Sequence, residues 1–278
     1  MVKKKVSLTI EKGILRKVDE LVDKVGISSR SEAVEILLRR ALLKKVVILC
    51  GGKKFYVEGT KIPRPLARLN KKRMIERTIE QLSLFGFKEV CIVGKAEVIF
   101  QVSQVIGKEI FGSKVTYVEE KESKGSARSL ELAKHLLTST FLLIPGDNVF
   151  NFDLEALWNF HLARNFLCTM ALSTLGKPGE LSTIGKPGIR IVKLKGDRVT
   201  SYTEQKIKPG VLPDGLIATM ICACEPKIFS YISQRTNSLE RDIFPRLVRE
   251  GKLGGFIMDG WRINVHKKED LKLAKSLL

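Results

Sequence analysis

Lys45-Val46-Val47-Ile48-Leu49-Cys50-Gly51-Gly52 decides how the rest of the chain is read. A short β-branched apolar run has the composition of a strand buried on both faces, and the two glycines let the backbone turn tightly at its carboxyl end. The same rhythm continues downstream, with an amphipathic stretch at residues 74–85, an apolar run at 89–93, a second amphipathic stretch at 127–137 and an apolar run at 141–144. Strands alternating with helices in this way predict an α/β domain, with a Rossmann-like, mostly parallel sheet covered on both faces. Ligands of such sheets gather at the carboxyl ends of the strands, which directs attention to Gly51-Gly52 and Gly146-Asp147.

Upstream of this run the pattern changes. Val6, Leu8 and Ile10 alternate with Lys5, Ser7 and Thr9, the period of a half-buried strand over residues 3–10. Ile14, Val18, Leu21, Val22 and Val25 then recur at helical spacing up to Gly26. After the turn Ile27-Ser28-Ser29-Arg30, Ser31 is placed to cap a second helix with Ala33, Val34, Ile36, Leu37 and Ala41 on its apolar face. One strand and two helices are too few to bury a core alone, so this module is expected to dimerise. The boundary falls where the second helix meets the apolar run, giving a small module at 1–44 and a large domain at 45–278.

Of the 278 residues, 44% are hydrophobic and 28% charged, which excludes wholesale disorder and collagen-like structure. An excess of 49 Lys+Arg over 30 Asp+Glu gives a net charge of +19 and favours polyanionic partners: nucleic acid, nucleotides or sugar phosphates. No apolar run approaches the about 20 residues that cross a bilayer, and the basic start leads into alternating residues rather than the apolar stretch of a secretory signal. No membrane partner is therefore expected, and the expected location is the cytoplasm. The five cysteines form no CxxC pair, so neither a disulfide framework nor a zinc site is indicated. His161 falls on the packing face of a helix at 154–164, while His135 and His266 stand in no recognisable catalytic arrangement.

The succession of strand, helix, Gly-Ile-Ser-Ser-Arg-Ser turn and helix over residues 3–43 resembles the ribbon-helix-helix family of DNA-binding proteins. The resemblance implies a homodimer whose paired strands form a β-ribbon that enters the major groove of double-stranded DNA. Lys5, Ser7 and Thr9 would face the bases. Ser29, Arg30 and Ser31, at the amino end of the second helix, would clamp a phosphate, and Lys3 would add non-specific attraction.

The larger domain carries a second set of motifs in order. Val47-Ile48-Leu49-Cys50-Gly51-Gly52, Pro63-Arg64-Pro65-Leu66 and Gly86-Phe87-Lys88-Glu89-Val90 come first. Gly125-Ser126-Ala127 and Phe141-Leu142-Leu143-Ile144-Pro145-Gly146-Asp147 follow, and then Gly260-Trp261-Arg262-Ile263-Asn264-Val265. Together they resemble the sugar-phosphate nucleotidyltransferases, over about residues 46–278. That family transfers a nucleotidyl group from a nucleoside triphosphate to a sugar-1-phosphate, with Mg²⁺ as cofactor, giving a nucleotide sugar and pyrophosphate. The resemblance implies that Cys50, Gly51, Gly52, Gly125 and Ser126 approach the nucleotide, and that Glu204 and Lys206 face the sugar phosphate. Arg64, Lys53 and Lys54 would neutralise the triphosphate and act in catalysis, and Asp147 with Asn264 would hold the metal.

The departures from the pattern weigh equally. The glycine-rich loop is two residues short and lacks the family's third glycine and its arginine. Asn264 stands where a second metal carboxylate is expected, which removes a negative charge from the metal site. Two readings follow: a working transferase attached to a DNA-binding regulator, or an impaired transferase that senses a nucleotide or nucleotide sugar for the DNA-binding module.

Overall fold

The computed structural model describes residues 4–22, 27–42, 44–52, 55–174, 177–181, 188–206 and 213–278. The chain divides into two units, Met1–Leu43 and Lys44–Leu278.

The smaller unit holds α1 (Lys12–Asp19) and α2 (Arg30–Leu42). Residues 4–10 form no strand, and Val6 and Leu8 are 75% and 60% exposed. A strand exists only as half of a hydrogen-bonded ladder, and nothing in a single chain lies opposite these residues. The expected cap at Ser31 is also corrected: α2 begins one residue earlier, and Ser29 Oγ accepts from the Glu32 N–H at 3.2 Å. Glu32 reaches back to accept from the N–H and Oγ of Ser28 at 2.8 and 2.7 Å, so two groups at the start of the helix are satisfied reciprocally. Arg30 does not stand free, because its Nη2 donates to Asp19 at 2.8 Å and ties the end of α1 to the start of α2.

The larger unit opens with β1 (Lys44–Leu49), a 3-10 turn at Arg64–Leu66, the small hairpin β2 (Arg68–Leu69) and β3 (Lys72–Arg73), and α3 (Met74–Leu84). Next come β4 (Phe87–Lys95), α4 (Ala96–Ile106), β5 (Glu109–Ile110), β6 (Ser113–Glu120), α5 (Ser126–Leu132), β7 (Phe141–Pro145), β8 (Asn148–Phe150) and α6 (Leu154–Leu162). The second half holds β9 (Cys168–Ser173), α7 (Pro178–Leu181), β10 (Ile189–Lys195), β11 (Arg198–Gln205) and β12 (Leu216–Cys224). A π turn at Leu239–Ile243, α8 (Phe244–Arg249), β13 (Leu253–Ile257), β14 (Arg262–Asn264) and α9 (Lys268–Ser276) complete it.

Ten strands make one sheet in the order β10-β11-β13-β9-β12-β7-β1-β4-β6-β5. Only β7-β1-β4-β6 and the β9–β13 pair are parallel, whereas β12 runs antiparallel to both β7 and β9. The expectation of a mostly parallel sheet therefore holds for the first half of the domain and fails in the second. There β10 and β11 are joined by Gly196 and Asp197 alone, and a connection that short can only reverse the chain.

Val46, Val47 and Ile48 are fully buried because β1 lies at the centre of the sheet. Val47 faces Ala127 and Leu130 of α5 with Phe244 and Leu247 of α8, while Val46 and Ile48 face the layer formed by α3, α4 and α6. Burying both faces of one strand supplies about 1.5–3 kcal/mol per large aliphatic side chain, which explains the unbroken apolar run. A third cluster packs Val57, Leu69 and Met74 against Val149, Ile263, Val265 and Ala274. It holds α9 and the β8–β14 ribbon beside the segment that leaves β1.

All five cysteines are buried and free. His161 is buried between Thr169 Oγ1 and Glu225, at 2.8 and 3.2 Å, and hydrogen bonding to it holds the Glu225 carboxyl below its ordinary range. Among the described residues, no helix is long and apolar enough to cross a membrane.

Candidate active site

A cavity of about 520 Å³ opens where the carboxyl ends of β1 and β7 part, within the size range of small-molecule sites. Cys50, Gly51 and Gly52 leave β1 along one wall, and Asp147 follows β7. Arg64, Gly125, Ser126, Glu204 and Asn264 also line it, so nine residues singled out from the sequence meet in one cavity. Lys206 does not: it is exposed, one residue beyond β11, and lies outside the lining. Lys53 and Lys54, like Lys3, fall outside the described residues.

At one end Arg64 and Asp147 are partners. Arg64 is only 9% exposed; its Nη1 donates to Asp147 Oδ2 at 3.0 Å and its Nε to the Tyr56 carbonyl at 3.2 Å. Asp147 Oδ1 accepts from Asn148 Nδ2 at 3.0 Å, and His266 Nε2 lies 3.6 Å from Oδ2. His266 thus belongs to the site although nothing in its sequence context signalled it. Behind this pair, Arg262 donates to both oxygens of buried Glu180 at 3.0 and 2.9 Å, and to Asn148 Oδ1 at 3.1 Å. That network fixes Asn148 and, through it, the Asp147 carboxylate.

Asn264 sits on β14 opposite Asn148, and its Oδ1 is buried without a hydrogen-bond partner. A buried acceptor left unpaired costs about 1–3 kcal/mol, which is the mark of a site that a ligand completes. Among the described residues no three His, Cys, Asp or Glu side chains form a metal cluster. One carboxylate and one orphan amide oxygen nevertheless suit Mg²⁺, which binds through one or two carboxylates, keeps several waters and takes substrate phosphates for the rest.

The wall beside Gly51 is built differently. A Cβ on Gly51 would lie 2.2 Å from Glu120 Oε2, and one on Gly125, whose φ is 114°, would lie 2.3 Å from the Asn237 carbonyl. Both positions bring backbone against neighbours that no side chain would tolerate. Ser126 Oγ donates to Glu240 at 2.7 Å and accepts from the Leu239 N–H at 2.9 Å, stitching the start of α5 to the π turn. Burial, with the Asp147 charge second, pushes the Cys50 thiol far up, so Cys50 is an inert wall and no nucleophile.

On the side formed by the second half of the sheet, Arg190 pairs with Glu204 at 2.6 Å; the two are cross-strand neighbours on β10 and β11. A register shift between Ala218 and Cys222 of β12 accompanies Met220 at φ 65°, and Met220 lines the cavity. A bulge of this kind turns a side chain that regular pleating would have sent elsewhere. Arg190, Met220 and Glu180 carry no motif, and only register and packing bring them here.

Residues 45–262 match the nucleotidyl transferase family. Mannose-1-phosphate guanyltransferase beta-B of Xenopus laevis is 24% identical over 242 residues, covering 81% of this chain and 62% of that protein. The mannose-1-phosphate guanyltransferase of Yarrowia lipolytica is 24% identical over 238 residues, covering 81% and 61%. The chain spans less than two thirds of the length of these curated relatives. HddC from Yersinia pseudotuberculosis shares the fold with a TM-score of 0.68 at 19% identity, covering 84% of this chain and 99% of that one. The family match runs from the first strand through the Asp147 turn to Arg262, most of the length of the protein, and by that match the chain belongs to the nucleotidyl transferase family.

Proposed function

We propose that the larger unit transfers a nucleotidyl group from a nucleoside triphosphate to a sugar-1-phosphate, and that the smaller unit is a ribbon-helix-helix module that dimerises and binds double-stranded DNA. The observation that carries the first part is the meeting of Gly51, Gly52, Arg64, Asp147 and the orphan oxygen of Asn264 in one cavity. In the reaction an oxygen of the sugar phosphate attacks the α-phosphorus. The new P–O bond forms as the bridge to the β-phosphate breaks, and pyrophosphate leaves with the bonding pair. Such chemistry is mostly positioning and charge neutralisation. Arg64 is a cation held ready by Asp147, and transfer of its fork to the triphosphate would free that carboxylate. Asp147 and Asn264 Oδ1 would then hold Mg²⁺, whose charge offsets that of the phosphates. Arg190, oriented by Glu204, supplies a cation on the opposite wall for the sugar phosphate.

For the smaller unit the support is physical. Val18 and Ala33 are its buried apolar residues among those described, while Val6, Leu8, Ile14, Leu37 and Leu38 are exposed. A second copy would supply the missing ladder partner for residues 4–10 and cover these side chains. Lys5, Ser7 and Thr9 are exposed as a DNA-facing row requires.

A second reading, a sensor of nucleotide or nucleotide sugar, is favoured by one observation: Asp147 is already neutralised by Arg64, and Asn264 brings no charge of its own. Pyrophosphate release, measured with Mg²⁺ and a panel of triphosphates and sugar-1-phosphates, separates the two. A transferase releases pyrophosphate and loses about 10³-fold in rate on Asp147→Ala, as expected when a group acting on the transition-state charge is removed. Binding without turnover by any pair assigns the sensor.

A further inference from the structure

Glu120 ends β6 and is 2% exposed. Its Oε1 accepts from Ser129 Oγ at 2.8 Å, but its Oε2 is buried with no hydrogen-bond partner. Burying a carboxylate oxygen unpaired is costly enough that native structures rarely do so without a ligand to complete it. The oxygen stands against two residues of the cavity wall: a Cβ on Gly51 would meet it at 2.2 Å, and Ser129 is itself part of the lining. Gly51 is thus the residue that leaves room for this oxygen at the wall.

The remaining charges of the cavity apportion the ligand. Arg64 with Asp147, and Arg190 with Glu204, are the places for phosphates. Among the described residues, the wall of Leu49, Cys50, Gly51 and Ser129 has no cation and offers close backbone approach, which suits a flat base. A carboxylate only accepts hydrogen bonds, so the base it completes must present donors. Guanine alone places two adjacent donors, N1–H and the 2-amino group, on its Watson–Crick edge. Adenine offers one amino group beside an acceptor nitrogen, and the single N3–H of uracil or thymine is flanked by carbonyl oxygens that a carboxylate repels.

We infer that Glu120 is the residue that selects the base and that the nucleotide is a guanine nucleotide. This inference rests on the nucleotidyl-transfer reading of the same cavity. Selection of this kind is strong because any other base leaves the buried oxygen unpaired.

The test is equilibrium binding of GTP, ITP, ATP and UTP to the full chain and to Glu120→Gln, with thermal unfolding of both proteins as the folding control. ITP lacks the 2-amino group and is otherwise GTP. The unaltered chain should bind GTP about 10–100-fold more tightly than ITP, the range for one hydrogen bond to a charged group, and discriminate further against ATP and UTP. In Glu120→Gln the GTP-to-ITP ratio should collapse towards one. Equal affinity for all four nucleotides, or an unchanged ratio in the variant, overturns the inference while leaving a nucleotide site intact. Failure of the unaltered chain to bind any triphosphate overturns the nucleotidyl-transfer reading and this inference together. Should the variant not fold, the GTP-against-ITP comparison on the unaltered chain decides alone.

Discussion

The two units of this chain solve the burial problem in opposite ways. In Lys44–Leu278, β1 is covered on both faces, and the cavity is walled by β1, β7, β10, β11, β12 and β14 of the same chain. In Met1–Leu43, two helices are joined by the Arg30–Asp19 pair, and the apolar residues preceding them stay exposed. The difference follows from size: burial per residue rises with chain length, so a segment of some forty residues cannot close a core that a domain of over two hundred closes readily. A domain that completes itself presents its function as a cavity. A segment that does not presents unsatisfied apolar and ladder-forming groups, and its function waits on a partner.

The sharpest attack on the self-sufficient half is Gly51→Ala. The added Cβ must displace Glu120, and a shift of about 1 Å at a binding wall is enough to cost about 10²-fold, read as lost triphosphate affinity by calorimetry. The loss should not depend on protein concentration. In the smaller unit the corresponding change is Leu8→Lys, which should raise the dimer dissociation constant about 10–100-fold in sedimentation experiments, the value of one large side chain kept from burial. A monomer at all concentrations before the change would break the comparison, since the small unit would then be stable without a partner.

Arg30→Ala should have a smaller effect. Weaker DNA binding in a mobility-shift titration, with the salt dependence lowered by about one unit of slope, marks Arg30 as a phosphate contact. An unchanged slope with a lower unfolding temperature assigns it to the Asp19 bridge alone. Smallest of all is Asn264→Asp, which restores a charge beside Asp147 and should lower the Mg²⁺ concentration needed for half-maximal turnover. No change there would mean that Asn264 Oδ1 does not face the metal.

Local pattern carried much of the fold. The apolar run of β1, its glycines and the Gly146-Asp147 turn after β7 were legible because a buried strand and a tight turn each write their requirements into adjacent residues. Two errors came from non-local effects. The second half of the sheet was expected to continue the parallel rhythm, but strand direction depends on whether a connection crosses over or turns back, and the hairpin at Gly196-Asp197 turns back. The strand at residues 3–10 has the right alternation and no partner in its own chain.

The sequence by itself determined that a glycine turn after a central strand and an aspartate turn after its neighbour would share the carboxyl edge of one sheet, because both signals are spelled out in consecutive residues. It was silent on the contacts that give the site its character. Arg64 and Asp147 stand 83 positions apart and pair across the cavity. Arg190 meets Glu204 only through the register of β10 and β11, and Glu120 comes under Gly51 only through strand order. Their separation in space is set by strand order, register and packing, which no local pattern encodes, so the tertiary structure alone decided which charges are satisfied and which buried oxygen is left waiting for a ligand.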